Sequence, residues 1–143
     1  MARAEAEHVF ALPLDELWAT LGDFGQTGKW SGRPPEACVQ EGEGIGAVRT
    51  LYVADGREIV DRLEAQTPYS YTYSIVSSPL PYASYRATMA VEAIDASHTQ
   101  FRWTGEFEPK GITEEEAIAF TKDIYGMGIG LMRKTIEGGL TRD

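Results

Sequence analysis

Two residues of opposite charge fall on a face that alternation makes otherwise apolar. Arg49 shares its face with Leu51, and Asp61 shares its own with Ile59 and Leu63, because side chains two apart in a strand point the same way. The turn between them decides whether they meet. A three-residue loop of Ala54, Asp55 and Gly56, with Gly56 left-handed, sets Arg49 opposite Asp61. A two-residue Asp55-Gly56 turn opposes Arg49 to Arg62 instead, which like-charge repulsion disfavours. We therefore expect the three-residue loop. The pair then has two readings. It is an ion pair that fixes strand register in an apolar wall, each partner satisfying the other. Or it is a catalytic pair, in which Arg49 stabilises an enolate oxygen and Asp61 moves a proton.

A second set of residues bears on ligand chemistry. Alternation groups Tyr71, Tyr73 and Ile75, then Tyr85 with Ala87 and Met89, then Phe101 with Trp103, Gly105 and Phe107. Aromatic side chains in this pattern build cores, but every buried phenol hydroxyl also needs a partner. Tyrosines converging on one side suit an aromatic or oxygenated ligand. Trp18 shares helical spacing with Leu14 and Leu21 and belongs to a core, whereas Trp30 stands beside a turn, where it can cover a cavity mouth.

These faces need something to lie against, and one long helix spanning residues 113–139 is the element that can supply it. Thr113 and Glu116 have the spacing of a capping box, and three glutamates sit in the first turn, where the helix dipole favours them. Gly138-Gly139 offers a left-handed stop. At helical period Ala117, Thr121, Ile124, Tyr125, Gly128, Leu131, Met132 and Thr135 share one face. Gly128 lies on that face, while Gly126 and Gly130 lie on the polar one. Each glycine costs a helix interior about 1 kcal/mol against alanine, so Gly128 either permits close packing on the sheet or leaves room for a ligand. The candidate ligand-binding residues are thus Trp30, Tyr71, Tyr73, Tyr85 and Trp103, with Thr121, Tyr125, Gly128 and Met132 from the helix.

The rest of the chain frames this helix. Residues 3–10 suit a first strand, Leu12-Pro13-Leu14-Asp15 opens a helix through Phe24, and residues 25–30 form a turn and a second short helix ended by Gly32 and Pro34-Pro35. The period then changes to two, giving strands over residues 36–41, 47–53, 57–65, 69–77, 82–94 and 99–108. Six strands joined by short turns form an antiparallel meander, and a long meander curls because sheets twist. The order predicts an α+β, helix-grip architecture: a curved seven-stranded antiparallel sheet wrapped around the C-terminal helix, with two short helices after the first strand. A curled sheet holding one helix leaves a cavity between them. Residues 77–81, with their two prolines, and the Asp55-Gly56 turn are the expected mouth.

Several local sequences are familiar in this order: Leu17-Trp18, Gly22-Asp23-Phe24 and Trp30, then Gly46-Ala47-Val48-Arg49, Asp55-Gly56 and Asp61-Arg62-Leu63. Tyr71-Thr72-Tyr73-Ser74-Ile75, Pro79-Leu80-Pro81 and Trp103-Thr104-Gly105-Glu106-Phe107-Glu108-Pro109 follow. With these the chain resembles the START-like helix-grip superfamily (SRPBCC), the birch-pollen-allergen fold, and most closely its polyketide cyclase/dehydrase and lipid-transport branch. The resemblance covers nearly the whole length. It implies a container reused for many ligands and several chemistries.

Composition bounds the alternatives. The 143 residues suit one domain, 1–143. A formal net charge of −9 and a pI near 4.7 speak against nucleic acid and anionic membranes as partners. No apolar run reaches the length of a membrane span, and residues 1–10 lack a signal-peptide core. A single cysteine, Cys38, excludes an internal disulfide, and these features together suggest a cytoplasmic protein. His8 and His98 lie on separate elements without metal-ligand spacing, and no phosphate-loop, dinucleotide or nucleophile-elbow motif occurs. We expect no cofactor and no metal. The first reading is a carrier or sensor for a hydrophobic or aromatic small molecule; the alternative is a polyketide cyclase or dehydratase using the same cavity. Neither ligand identity nor oligomeric state is written in the sequence.

Overall fold

The computed structural model describes residues 1–53 and 56–140. Seven strands form one antiparallel sheet: β1 (Ala2–Phe10), β2 (Cys38–Glu41), β3 (Val48–Tyr52), β4 (Glu58–Thr67), β5 (Ser70–Ser77), β6 (Tyr82–Asp95) and β7 (His98–Pro109). Their spatial order is β1-β7-β6-β5-β4-β3-β2. The last six strands are thus a meander, and β1 is added on the free side of β7. Two short helices, α1 (Leu14–Leu21) and α2 (Gly28–Ser31), follow β1, and α3 (Glu114–Leu140) closes the chain. This is the α+β helix-grip fold.

Irregular pairing bends the sheet. The β4–β5 register shifts between Val60 and Asp61 and again between Leu63 and Ala65, and β6–β7 shifts near Tyr82 and Ala93. Each bulge adds local twist, so the strands curl toward one side. Helix α3 lies in that concavity, packed chiefly along β1, β7 and α2. His8 Nε2 and Glu137 Oε2, 2.8 Å apart, tie β1 to the last turns of the helix. The curl carries β3, β4 and β5 away from α3, and the space this leaves is the site described below.

Helix α3 opens on the expected capping box: the Thr113 N–H donates to Glu116 Oε1 (2.9 Å), and the Glu116 N–H donates to Thr113 Oγ1 (3.1 Å). It does not stop at Gly138 but runs to Leu140. Its buried stripe is Ala117, Thr121, Tyr125, Gly128, Ile129, Met132 and Ile136. Ile129 and Ile136 therefore extend the face read from the sequence, each standing one turn beyond a member of it, whereas Leu131 and Thr135 are exposed at its edges.

Two boundaries differ from expectation. Helix α1 ends at Leu21, because the backbone turns at Gly22 and the Asp23 carboxylate accepts the Gly25 N–H (3.1 Å); Phe24 is outside it. Residues Pro35–Ala37 form a 3-10 turn, so β2 begins at Cys38, since two successive prolines cannot donate to a strand ladder. The β3–β4 register is the expected one: it pairs Arg49 with Asp61 and Tyr52 with Glu58, and Gly56 is left-handed (φ 72°). Ala54 and Asp55 of that loop lie outside the described residues.

Candidate functional site

Arg49 and Asp61 meet at the back of the concave wall. Arg49 Nε donates to Asp61 Oδ2 at 2.9 Å, and the two residues are only 3% and 2% exposed. The guanidinium has further partners. Nη1 donates to the Phe24 carbonyl oxygen (2.9 Å) and to the Tyr71 hydroxyl (3.2 Å). Its carbon also sits 4.4 Å from the Phe24 ring centre and 4.8 Å from that of Tyr73, positions at which ring quadrupoles attract a cation. Burial opposes the charge, but Tyr71, Asp61 and Tyr73 outweigh it and hold Arg49 protonated. Burial pushes the Asp61 carboxyl above its ordinary range, against the opposing pull of Arg49. Asp61 Oδ1, unlike Oδ2, has no hydrogen-bond partner among the described residues.

The aromatic residues form a connected layer. Trp103 Nε1 donates to the Tyr73 hydroxyl (3.2 Å), the Tyr73 and Tyr85 hydroxyls lie 3.5 Å apart, and Tyr85 shares a 2.5 Å hydrogen bond with Tyr125. Burial raises all three of these phenols well above their usual range, so each stays a neutral hydroxyl. Their hydroxyls are satisfied largely by one another. Trp103 stacks on Tyr125, ring centres 4.3 Å apart. Two glycines permit this layer. A Cβ on Gly105 would collide with the Tyr125 hydroxyl, and one on Gly128 would come within 2.7 Å of the Trp103 ring. Close packing thus requires Gly128, whatever else the position does.

In front of this layer lies a cavity of about 280 Å³, bounded by α2, the β3–β5 wall, the loop before β6 and the middle of α3. Arg49, Asp61, Trp30, Tyr73, Tyr85, Trp103 and Gly128 all line it. Four other candidates do not. Tyr71 is fully buried behind Arg49; its hydroxyl accepts from that residue and donates to Met89 Sδ (3.2 Å). Tyr125 is covered by Trp103 and Tyr85, and Met132 is sealed in the core. Thr121 bonds back to the Ala117 carbonyl (2.8 Å) and to the Tyr82 hydroxyl (2.6 Å). Helical period assigns these residues to the inner face, but that face is wider than the part fronting the cavity.

The remaining lining was not singled out from the sequence. Leu51 and Ile59, already placed on the Arg49–Asp61 face by alternation but not named as ligand-binding, line the cavity beside that pair. Arg33, Cys38, Tyr82 and Ile124 also contribute. Arg33 reaches across the rim to the Tyr52 carbonyl oxygen (2.8 Å), an approach made possible by the left-handed turn at Gly32 (φ 75°). Leu80, between the two prolines, and Val53, just after β3, reach the cavity from the loops expected at its mouth. Trp30 is set by α2: its carbonyl accepts from Thr135 Oγ1 (3.0 Å), and its ring meets Trp103 edge-on at 6.4 Å. The Trp30 Nε1–H, like Asp61 Oδ1, is buried without a partner among the described residues. No group of three or more His, Cys, Asp or Glu side chains among the described residues is arranged to hold a metal ion. Among the described residues no helix is long and apolar enough to cross a membrane.

A curved sheet gripping a long helix, with a mostly apolar space between them, defines a container fold. The family described as polyketide cyclase / dehydrase and lipid transport matches residues 1–137, and the chain belongs to that family. Among solved structures it is similar to the protein XoxI from Bacillus cereus, with 27% identity, a TM-score of 0.85, and coverage of 99% of this chain and 100% of that one. An uncharacterised protein from Bacillus thuringiensis is also 27% identical, with a TM-score of 0.83 over 94% of this chain and 98% of its own. Norcoclaurine synthase from Thalictrum flavum, at 13% identity, shares the fold, with a TM-score of 0.68 and coverage of 94% and 86%. No curated protein sequence matches. Family and fold are compatible with ligand binding and with polyketide cyclase or dehydrase chemistry.

Proposed function

We propose that the protein binds a hydrophobic or aromatic small molecule in the cavity between α3 and the β3–β5 wall. The observation that carries this reading is the cavity itself. It is lined mainly by carbon, from Leu51, Ile59, Ile75 and Ile124 to Trp30 and Trp103, and it meets buried polar atoms only at isolated points. Apolar walls with a few placed polar groups are what a small-molecule site needs: area for affinity and polar atoms for orientation. A neutral polarity-sensitive dye such as Nile red should bind the parent protein with enhanced, blue-shifted emission. Ile75→Trp, which fills the cavity from the centre of the sheet, should abolish that signal while unfolding stays cooperative. Gly128→Leu is a poorer probe, because it displaces Trp103 as well. Equal dye binding by parent and Ile75→Trp would place the dye elsewhere and defeat the reading.

One observation favours a second, catalytic reading. Asp61 lines the cavity with one oxygen, Oδ1, unpaired among the described residues, and burial raises its carboxyl, the direction useful to a general base. In that reading Asp61 moves a proton, the adjacent Arg49 stabilises an enolate oxygen, and Tyr73 and Tyr85 orient carbonyls. Cyclisation or dehydration of a linear poly-β-ketone thioester by the parent, lost in a folded Arg49→Met/Asp61→Leu variant, would establish it. A parent that binds ligands and turns none over leaves the carrier.

A further inference from the structure

Asp61 Oδ1 and Trp30 Nε1 are the two buried side-chain polar atoms without a hydrogen-bond partner among the described residues, and both residues line the same cavity. Asp61 is 2% and Trp30 8% exposed. They differ in kind: one can only accept while ionised, and the other can only donate. Neither is misplaced by loose packing. Asp61 is held through its other oxygen by Arg49, at 2.9 Å. Trp30 is fixed through its backbone by Thr135 and through its ring by Trp103. From these two atoms, and resting on the binding reading above, we infer that the cavity takes a neutral ligand with a hydroxyl donor for Asp61 Oδ1 and an oxygen acceptor for Trp30 Nε1, that is, a hydroxy ketone or hydroxy ether on an apolar frame, and that it discriminates against carboxylic acids.

Both atoms are almost wholly closed to water, so the protein without ligand already holds a stranded acceptor and a stranded donor. A purely apolar ligand leaves them stranded in a low-dielectric space, and an unpaired buried polar group costs more than an ordinary hydrogen bond gains. A ligand carrying the matching pair removes that cost, and this is how a polar site rejects an analogue that lacks one group. Acids are disfavoured because the Asp61 carboxylate repels a second anion, and Arg49 already directs most of its donors to neighbours. Arg49 commits two of its three nitrogens, Nε and Nη1, to Asp61, the Phe24 carbonyl and Tyr71, and an incoming carboxylate meets the negative charge of Asp61 beside them.

Displacement of Nile red by four rigid probes of similar size tests this: naphthalene, 2-naphthol, 2-acetylnaphthalene and 2-naphthoate. In the parent protein, 2-naphthol should bind roughly tenfold to a hundredfold more tightly than naphthalene, the range for a hydrogen bond to a charged partner. The acetyl compound should gain about fivefold, as for a neutral bond, and 2-naphthoate should bind weakest. Trp30→Phe should erase the advantage of the acetyl compound alone. In Asp61→Asn, Arg49 holds the amide oxygen and the NH2 group turns to the cavity, so the order of 2-naphthol and 2-acetylnaphthalene should invert. Equal binding of naphthalene and 2-naphthol by the parent overturns the inference while leaving the binding reading intact, as does tightest binding of 2-naphthoate. Failure of Nile red itself to bind overturns both.

Discussion

Replacing Asp61 with leucine would leave the Arg49 guanidinium buried beside an apolar side chain, and the structure indicates how much that should matter. Breaking a buried pair by removing one partner costs about 3–5 kcal/mol. Arg49 keeps the Phe24 carbonyl, the Tyr71 hydroxyl and the faces of Phe24 and Tyr73, so Asp61→Leu should fall near the low end, about 3 kcal/mol. Arg49→Met removes three hydrogen bonds. It strands the Phe24 carbonyl, at about 1–3 kcal/mol, as well as the carboxylate. The double variant loses the charges together, so its main debit is the Phe24 carbonyl, since Tyr71 still donates to Met89. It should therefore cost only about 1–3 kcal/mol, well below the sum of the single changes. Urea unfolding followed by circular dichroism, with slopes compared to confirm that the unfolded state is unchanged, gives the coupling energy directly. We expect at least about 2 kcal/mol of coupling in favour of the pair. Arg49→Met adds a pH signature. Burial already raises the folded carboxyl of Asp61, with Arg49 opposing; without Arg49 only burial remains. A folded value above the unfolded one stabilises on protonation, so this variant should gain on the parent as pH falls toward 4 and lose that gain as pH rises through the elevated value. Additive single costs, agreeing within about 0.5 kcal/mol, would refute the coupled pair.

Other expectations follow from the helix and the mouth. Gly126→Ala and Gly130→Ala meet nothing within 4 Å and should each stabilise by about 1 kcal/mol through helix propensity. Gly128→Ala should destabilise in thermal melts, because overpacking against Trp103 costs about 1–3 kcal/mol and outweighs that gain. Glu116 is held below the ordinary carboxyl range by the Thr113 N–H and hydroxyl. The parent's advantage in melting temperature over Glu116→Gln should be full above the unfolded glutamate value, near 4.5, and shrink as pH falls through the depressed folded one. Amide hydrogen exchange at Ser77, Ser78, Leu80 and Tyr82 should slow on adding 2-naphthol, since Leu80 reaches the cavity from that loop; slowing confined to the opposite strand ends would move the mouth there.

The sequence by itself determined the architecture, because each of its signals is local. Period two across six segments, turn residues between them, the Thr113–Glu116 capping box and one long amphipathic face leave few ways to bury the apolar surface. It even determined that Arg49 faces Asp61, because the alternative register paired two arginines. Which of the inner residues front empty space was decided only in three dimensions. Tyr71 and Tyr73 are equivalent by alternation, yet one is sealed behind Arg49 and the other lines the cavity, because the bulges in β4–β5 curl the sheet around that point. Thr121, Tyr125 and Met132 share the helix face with Gly128, but the sheet covers them and leaves Gly128 at the edge of the space. The two unpaired polar atoms were not legible at all. Whether a carboxylate oxygen or an indole N–H finds a partner depends on side chains from β3, α2 and α3 that meet only when the sheet closes on its helix.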